Sequence, residues 1–305
     1  MNMYKIGNWK YFIVFVSIIF ASNMDIYFPF ENNSHEYHFI EYQLIKNNKF
    51  NDIFIFKQPY SYNEINRIIP NSYFPLYGKS KPDNEVSLNI QPGFANNDNQ
   101  IILRPYFDLN YLISINNTQI NFKGEIDNRL YEDETFHGAK HKWSPSPSSS
   151  IVFTGYIYDA YFLSKFNELQ IFGGRLSRNY GILNEYSLIY SNNPFSFDHY
   201  GFSVTGTKIN YSFYFSRLDD YDNSIDLQGG IIPLDSIATA KRYFNFQHLD
   251  LKLSERIQVG LSQSTIYGGP NQTFEGIYLN PVSFYYVEQA NNKIQMNAFW
   301  QLLFS

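Results

Sequence analysis

The sequence predicts an all-β fold, a transmembrane antiparallel up-and-down β-barrel of the outer-membrane type, from three observations. The 305 residues include 27 Tyr and 29 Phe, yet the mean hydropathy is only −0.34. These values are typical of a barrel in which only alternate residues face lipid, with tyrosines at the membrane–water interfaces. The other two observations are an apolar–polar alternation along the chain and an asymmetry between short turns and long connections. Composition alone leaves a soluble β-sandwich open.

Charge, hydropathy and cysteine content exclude several classes of protein. The net charge of −5 and the pI near 5.7 argue against a nucleic-acid binder, which needs a basic face to replace phosphate counterions. The low mean hydropathy excludes a multi-helix membrane protein. The chain contains no Cys, so thiolate catalysis, Cys-ligated zinc and disulfides are excluded. We expect no cofactor and no metal site.

The N-terminus, residues 1–22, is predicted to be a signal peptide. Lys5 and Lys10 precede the apolar run 11–20, which is followed by the small residues Ala21 and Ser22. A charged start, a short apolar core and small residues at the exit are typical of a secretory signal. The run is shorter than the roughly 20 apolar residues of a transmembrane helix. An uncleaved anchor or a buried helix is the alternative.

Residues 23–78 are predicted to form a small helical periplasmic segment or plug. Residues 34–46 place apolar side chains at three- and four-residue steps, which favours an amphipathic helix. Ser61 with Glu64 three residues later predicts the capping box of a second helix. We expect an extended segment over 52–56 between the two. Surface helices of an ordinary globular domain would show the same sequence pattern.

Residues 79–305 are predicted to form the barrel. Apolar and polar residues alternate here with no helical crossover, which excludes a parallel α/β fold. The predicted strands are 86–90, 109–115, 120–126, 151–163, 166–176, 200–206, 208–218, 242–253, 256–266 and 293–304. Short turns at Asn116-Asn117 and Glu255 contrast with long polar connections at 131–150 and 219–241, the asymmetry of outer-membrane barrels.

The segment from Arg242 to Gln289 carries a family resemblance. It reads RYFNFQHLDLKLSERIQVGLSQSTIYGG, then a loop, then IYLNPVSFYYVEQ. In this order the blocks resemble the Wzi-like capsule assembly family as it occurs in Bacteroidetes-type bacteria. Further blocks similar to that family are His35 to Leu44, Gly173-Gly174-Arg175, Asn179-Tyr180-Gly181, Asn193-Pro194-Phe195 and Asp198-His199. The resemblance therefore runs over most of the chain beyond the predicted signal.

The resemblance implies a non-enzymatic protein of the Gram-negative outer membrane. It implies a barrel with a small helical periplasmic part that assembles or attaches capsular or extracellular polysaccharide at the cell surface. The expected partners are that polysaccharide and outer-membrane lipid. The family is usually longer, and this chain stops inside an apparent strand. We therefore expect a C-terminally truncated, incomplete barrel of about 10–12 strands.

Nine residues are candidates for polysaccharide binding or for a polar network in the barrel lumen. They are Arg175, Tyr180, Asp198, His248, Tyr267, Asn280, Tyr286, Glu288 and Gln289. Arg175 could face the lumen, where its forked donors would meet sugar hydroxyls or a carboxylate in a structural salt bridge. His248 is expected to be a hydrogen-bonded interior residue. Asp198 and His199 are neighbours on a strand, so they point to opposite faces and cannot form a dyad.

Three other functions stay open, and each has its own discriminating feature. An open lumen lined with charges would favour a diffusion channel for sugars or other small solutes, whereas a plugged lumen favours the capsule function. An outer-membrane lipid hydrolase needs a Ser–His pair within hydrogen-bond reach near the lipid interface. A soluble β-sandwich lectin requires the alternating apolar faces to meet each other rather than lipid.

Overall fold

The computed structural model describes most of the chain beyond residue 34. The described ranges are 35–69, 84–91, 94–97, 100–103, 106–127, 142–143, 153–181, 187–191, 196–221, 240–270, 273–292 and 296–305. The predicted signal peptide 1–22, most of the connection 131–150 and the motif 193–195 lie outside these residues.

Residues 35–69, here called the N-terminal unit, contain two helices. Helix α1 spans His35–Asn47 and α2 spans Tyr62–Ile68. The predicted capping box is present, because the Ser61 side chain accepts from the Glu64 backbone while the Glu64 side chain accepts from the Ser61 backbone. The expected extended segment at 52–56 is wrong: these residues form turns, and their apolar side chains at positions 53–56 are buried. Burial of consecutive side chains requires a chain that turns rather than an extended strand with alternating faces.

The rest of the described chain is dominated by antiparallel strands. The strands are β1 Asn84–Gln91, β2 Phe94–Asn97, β3 Gln100–Leu103, β4 Tyr106–Ile115, β5 Thr118–Asp127, β6 Lys142–Trp143, β7 Phe153–Phe166, β8 Leu169–Arg175, β9 Asp198–Thr205, β10 Ile209–Tyr221, β11 Ala240–Ser254, β12 Ile257–Pro270 and β13 Met296–Phe304. The all-β prediction is confirmed. Every predicted strand is present, with ends shifted by a few residues.

Ten strands form one sheet in the order β1-β4-β5-β7-β8-β9-β10-β11-β12-β13, with β6 beside β7 and a separate β2–β3 hairpin. Every pairing in it is antiparallel. Within the described residues β1 pairs with β4 alone and β13 with β12 alone. Closure of the sheet into a barrel and its insertion in a membrane therefore stay predictions.

The connections differ in length at the two edges of the sheet. Short turns join β4 to β5, β7 to β8, β9 to β10 and β11 to β12. Asn116 and Asn167 take positive φ values of 51° and 53° in two of them, a conformation that Asn tolerates. The opposite edge has the longer connections, from β1 to β4, β5 to β7, β8 to β9, β10 to β11 and β12 to β13. We call these the short-turn edge and the long-connection edge.

Side chains divide sharply between the two faces of the sheet. Residues paired across antiparallel strands share a face, and neighbours along a strand alternate. One face, here the polar face, carries buried polar residues that include Gln119, His199, Ser203, Asn210, Ser212, Ser216, His248, Asp250 and Ser262. The other, here the apolar face, has exposed apolar residues that include Val86, Leu88, Ile90, Leu109, Ile120, Phe162, Ile171, Tyr200, Val204, Leu261, Leu302 and Phe304.

The polar face is covered by two segments that are distant in sequence. One is the N-terminal unit. The other, here the buried connection, is residues 176–181 and 187–191 between β8 and β9. Tyr37, Phe56 and Tyr180 belong to the same hydrophobic core as Phe172 and Phe246 of the sheet. The core thus lies between the polar face and these two segments.

The connection from β12 to β13, residues 273–292, packs on the apolar face instead. This surface connection contains a 3-10 helix, Gly276–Leu279, and α3, Tyr285–Asn292. Neither helix is expected from the sequence pattern. In the part of the chain that is described, no helix has the length and apolarity needed to span a membrane.

Candidate functional site

A chain of polar contacts joins the N-terminal unit to the polar face near the short-turn edge. Lys57 donates to the Asn210 side-chain oxygen at 3.2 Å, and Asn210 donates to Asp250 at 2.9 Å. Asp250 contacts Nε2 of His248 at 2.7 Å, and Nδ1 of His248 lies 2.7 Å from the Ser262 hydroxyl. Because a carboxylate oxygen accepts, Nε2 of His248 is the donor in its contact with Asp250.

We call this chain of contacts from Lys57 to Ser262 the polar-face relay. The strand register brings its groups together. His248 and Ser262 are direct partners on β11 and β12, and Asp250 follows His248 by two residues, so all three share one face. The order Ser–His–Asp matches that of a hydrolytic triad. All three residues are 0% exposed, however, and a β-carbon on nearby Gly260 would lie 2.8 Å from the Phe56 ring. In this arrangement the N-terminal unit packs closely over the group.

A second cluster of the polar face surrounds the guanidinium of Arg178. This group lies over the rings of Phe172 and Tyr214, at 4.3 and 4.4 Å from their centroids, a favourable cation–π geometry. Its Nε donates to Nε2 of His199 at 2.7 Å. Nδ1 of His199 is 3.0 Å from the Phe197 carbonyl oxygen, so Nδ1 carries the proton of a neutral ring. The cluster fixes the buried connection to β8, β9 and β10.

The two covers of the polar face also touch each other. Gln58 and Asn179 exchange two backbone hydrogen bonds, at 2.8 and 3.2 Å. Tyr180 packs on the His248 ring at 4.9 Å between centroids and on Tyr190 at 5.7 Å. Burial raises the pKa of Tyr60, Tyr180 and Tyr190, so all three phenols stay neutral and hydrogen-bonding at physiological pH.

On the apolar face, side-chain amides of β11 and β12 hold the surface connection. Asn245 donates to the Tyr278 carbonyl oxygen at 2.7 Å. Gln263 donates to the Ser283 carbonyl at 2.7 Å and to the Gln247 side chain at 2.8 Å. Gln247 also donates to the Asn280 carbonyl at 3.3 Å. These amides supply donors to carbonyl groups that no regular helix or strand would satisfy.

An aromatic cluster lies beside these amides, toward the long-connection edge. It consists of Tyr243, Tyr267, Tyr278, Tyr285 and Met296. The Tyr267 and Tyr278 rings are 4.3 Å apart. Burial raises the pKa of Tyr278 to about 12, and burial raises the pKa of Tyr285 as well. Glu288 in α3 accepts from the Ser283 hydroxyl at 2.7 Å, which stabilises the start of the helix.

Arg175 and Asp198 form an ion pair at the long-connection edge. Two guanidinium nitrogens donate to the two carboxylate oxygens, at 3.1 and 3.2 Å. His199 is buried on the polar face, so its neighbour Asp198 points away from that face, as the sequence predicts. Arg175 shares the row of Leu169 and Ile171 on the apolar face, so it lies on the opposite side of the sheet from the polar face.

The nine candidate residues fall into three groups rather than one site. Tyr180 and His248 meet on the polar face, and Arg175 pairs with Asp198. Tyr267, Asn280, Tyr286 and Glu288 lie on or under the surface connection, which packs on the apolar face and not on the polar face. Gln289 lies in α3.

The sequence pattern misses the residues that connect the polar groups. Arg178, Asp250 and Ser262 are central to the polar face, and Gln247 and Gln263 to the apolar face. Gln247 and Gln263 have a signal in the sequence, because together with Asn245 and Thr265 they interrupt the apolar rows of β11 and β12. Among the described residues, no group of three or more His, Asp or Glu side chains is placed to hold a metal ion.

The comparisons with known proteins place the chain in no group. No family model, no curated protein and no solved structure matches it.

Proposed function

We propose that this chain forms the wall of an outer-membrane β-barrel whose polar face is filled by its own N-terminal unit and buried connection. The observation that carries the proposal is the division of the sheet into an apolar face that is exposed and a polar face that is covered. Ten strands spaced about 4.8 Å apart make the apolar face roughly 40 Å wide, and it is exposed except where the surface connection lies over β11 and β12. Soluble monomers rarely expose apolar patches above a few hundred Å². An apolar face of this width is suited to contact with the lipid of a membrane.

The backbone of the sheet suits the same environment. In hydrocarbon every peptide N–H and C=O needs a partner inside the protein. Eight of the ten strands in the sheet order have a neighbour on each side, which meets that need over most of the wall. The short-turn and long-connection edges correspond to the periplasmic and external sides of outer-membrane barrels. The N-terminal unit then lies toward the periplasm, since Lys252 and Ser254 of β11 contact Asn51.

The role proposed for this wall is non-enzymatic assembly or attachment of capsular or extracellular polysaccharide at the surface of a Gram-negative cell. The resemblance of the Arg242–Gln289 and central blocks to the Wzi-like family supports the role. The covered polar face supports it over a diffusion channel, because a channel needs a water-filled lumen. The relay from Lys57 to Ser262 and the Arg178 cluster fix both covers to the wall.

Deletion of the gene in its host tests the role. We expect the protein in the outer-membrane fraction, and we expect polysaccharide to pass from the cell surface into the medium when the gene is absent. Complementation with the intact gene serves as the control. Unchanged retention of polysaccharide would refute the attachment role, and recovery of the protein in the soluble fraction would refute the membrane wall.

A second candidate function, lipid hydrolysis, is favoured by one observation, the Ser262–His248–Asp250 order at 2.7 Å spacings. Its burial argues against access for a substrate. A fluorophosphonate probe, which labels activated serines, decides between the two. The proposed non-enzymatic role predicts no labelling at Ser262, whether or not the N-terminal unit is loosened with mild urea. Labelling that Ser262→Ala abolishes would establish the hydrolase instead.

A further inference from the structure

The surface connection, residues 273–292, has two chemically different sides. Its underside gives backbone carbonyls to Asn245, Gln247 and Gln263 of the sheet, and Tyr211 donates to the Pro281 carbonyl. Its outward side is apolar. Val282 is 77% exposed, Tyr286 65%, Phe284 57% and Val287 50%.

This orientation is held by the protein itself. Turning the apolar side chains inward would take the carbonyls away from the amides, and each buried polar group left without a partner costs about 1–3 kcal/mol. The outward apolar surface therefore persists in the folded protein. Only an apolar partner outside the chain can bury this outward surface and remove it from water.

The outward side continues the apolar face. Phe284 stacks on Trp300 of β13 with 5.9 Å between ring centroids, and Phe274 contacts Phe215 of β10 at 6.1 Å. Beneath it the strands carry Asn245, Gln247, Gln263 and Thr265, a polar interruption in the apolar face. The surface connection thus covers the one polar interruption on β11 and β12 and presents apolar side chains in its place.

We propose that the surface connection is a lipid-contacting cover, which replaces strand residues as the membrane-facing surface over β11 and β12. The inference rests on the proposed membrane wall and adds a specific lipid-binding element to it. The partner is the acyl region of the bilayer next to the headgroups. Residues 273–292 contain Glu275 and Glu288 but no Lys or Arg, so this surface has no cation to attract an acidic polysaccharide or lipid phosphates.

Tryptophan quenching in reconstituted vesicles tests the assignment. The native Trp9, Trp143 and Trp300 are first replaced by Phe, and one new Trp is introduced in the full chain. Tyr286→Trp reports on the surface connection, and Leu302→Trp, 57% exposed on β13, reports on the strand surface. Leu188→Trp is the matched control, since Leu188 is 90% exposed but lies on the polar-face side. The vesicles contain phosphatidylcholine with brominated acyl chains, and iodide probes exposure to water.

We expect brominated lipid to quench Tyr286→Trp and Leu302→Trp, and iodide alone to quench Leu188→Trp. If Leu302→Trp is quenched by brominated lipid while Tyr286→Trp responds only to iodide, the membrane wall stands and the lipid-contacting cover is refuted. If no reporter responds to brominated lipid, the proposed wall fails and the cover fails with it.

Discussion

Strands β11 and β12 are covered on both faces, and the two covers are built differently. On the polar face, a carboxylate, an imidazole and a hydroxyl form a buried relay, and aromatic rings of the N-terminal unit and the buried connection pack around it. On the apolar face, side-chain amides hold the backbone of one short connection and leave its apolar side chains outside. Polar residues of the same two strands thus have different roles on the two faces: they form a buried network on the polar face and hold a separate segment on the apolar face.

Polar residues that interrupt the alternation have different consequences on the two faces. On the polar face His248, Asp250 and Ser262 satisfy one another within the two strands, and the covers add aromatic packing together with the polar contacts of Lys57 and Arg178. On the apolar face the amides need partners from outside the strands, and the surface connection supplies them. A polar pair inside an apolar row, such as Gln247 opposite Gln263, therefore marks a place where another segment docks.

The largest expected effect comes from breaking the polar-face relay. Asp250→Ala leaves the His248 Nε2–H and the Asn210 amide without their buried acceptor, and we expect a loss of about 3–5 kcal/mol in the free energy of unfolding. Urea unfolding in detergent micelles measures it. Asp198→Ala is the matched control, because this half-exposed carboxylate should contribute less than about 1 kcal/mol. Equal losses for the two variants would contradict the relay.

A smaller and local effect is expected on the apolar face. Gln247→Leu with Gln263→Leu removes the donors to Asn280 and Ser283, each worth about 1 kcal/mol. Amide hydrogen exchange should speed up in residues 273–292 while the N-terminal unit keeps its protection. Gln170→Leu on β8 is the control and should leave the surface connection unchanged. If exchange rises in the N-terminal unit as well, the two covers are not independent.

A change in the capping box of α2 tests the N-terminal unit independently of the surface connection. Ser61→Ala removes the side-chain acceptor for the Glu64 amide and should destabilise this unit by about 1 kcal/mol. Limited proteolysis should then cut faster within residues 35–69 and not in the surface connection. Ser61→Asn keeps a cap and should restore resistance. Failure of that rescue would assign the effect to something other than the cap.

Alkaline pH should weaken both covers, with no effect near neutrality. The buried tyrosines have raised pKa values in the folded protein, about 12 for Tyr278, whereas tyrosine in an unfolded chain has a pKa of about 10. Above that pH the unfolded state binds fewer protons, so stability falls as pH rises. Tyrosinate absorbance of the folded protein should lag behind that of the urea-unfolded chain. Tyr278→Phe should reduce the lag, and superimposable curves would contradict it.

Much of the fold could be predicted from the sequence because it depends on local signals. Alternation locates the strands, Asn116 marks a turn, and Ser61 with Glu64 marks the start of α2. The segment 52–56 misleads because consecutive buried apolar residues suit a strand and a packed turn equally well. Helix α3 escapes prediction because its place depends on amides from β11 and β12 rather than on its own periodicity.

The candidate site could be predicted only in part, because it depends on register. His248 is identifiable as an interior residue, but its contact with Ser262 requires the pairing of β11 and β12. A slip of one residue would move every side chain of a strand to the other face. Arg178 lies in an irregular connection, where no period indicates which side chain is buried. The two covers arise from contacts between residues far apart in the chain.

Strand β1 offers the most direct test of the central claim, that the apolar face meets lipid. Its residues Val86 to Ile90 include two polar-face positions, Ser87 and Asn89, and all side chains described there are exposed in the chain itself. The chain has no native Cys, so single Cys substitutions can be labelled with a water-soluble maleimide in reconstituted vesicles. We expect Ser87→Cys and Asn89→Cys to react, and Val86→Cys, Leu88→Cys and Ile90→Cys to stay unlabelled until urea is added. Equal labelling at all five positions would contradict a lipid-facing wall.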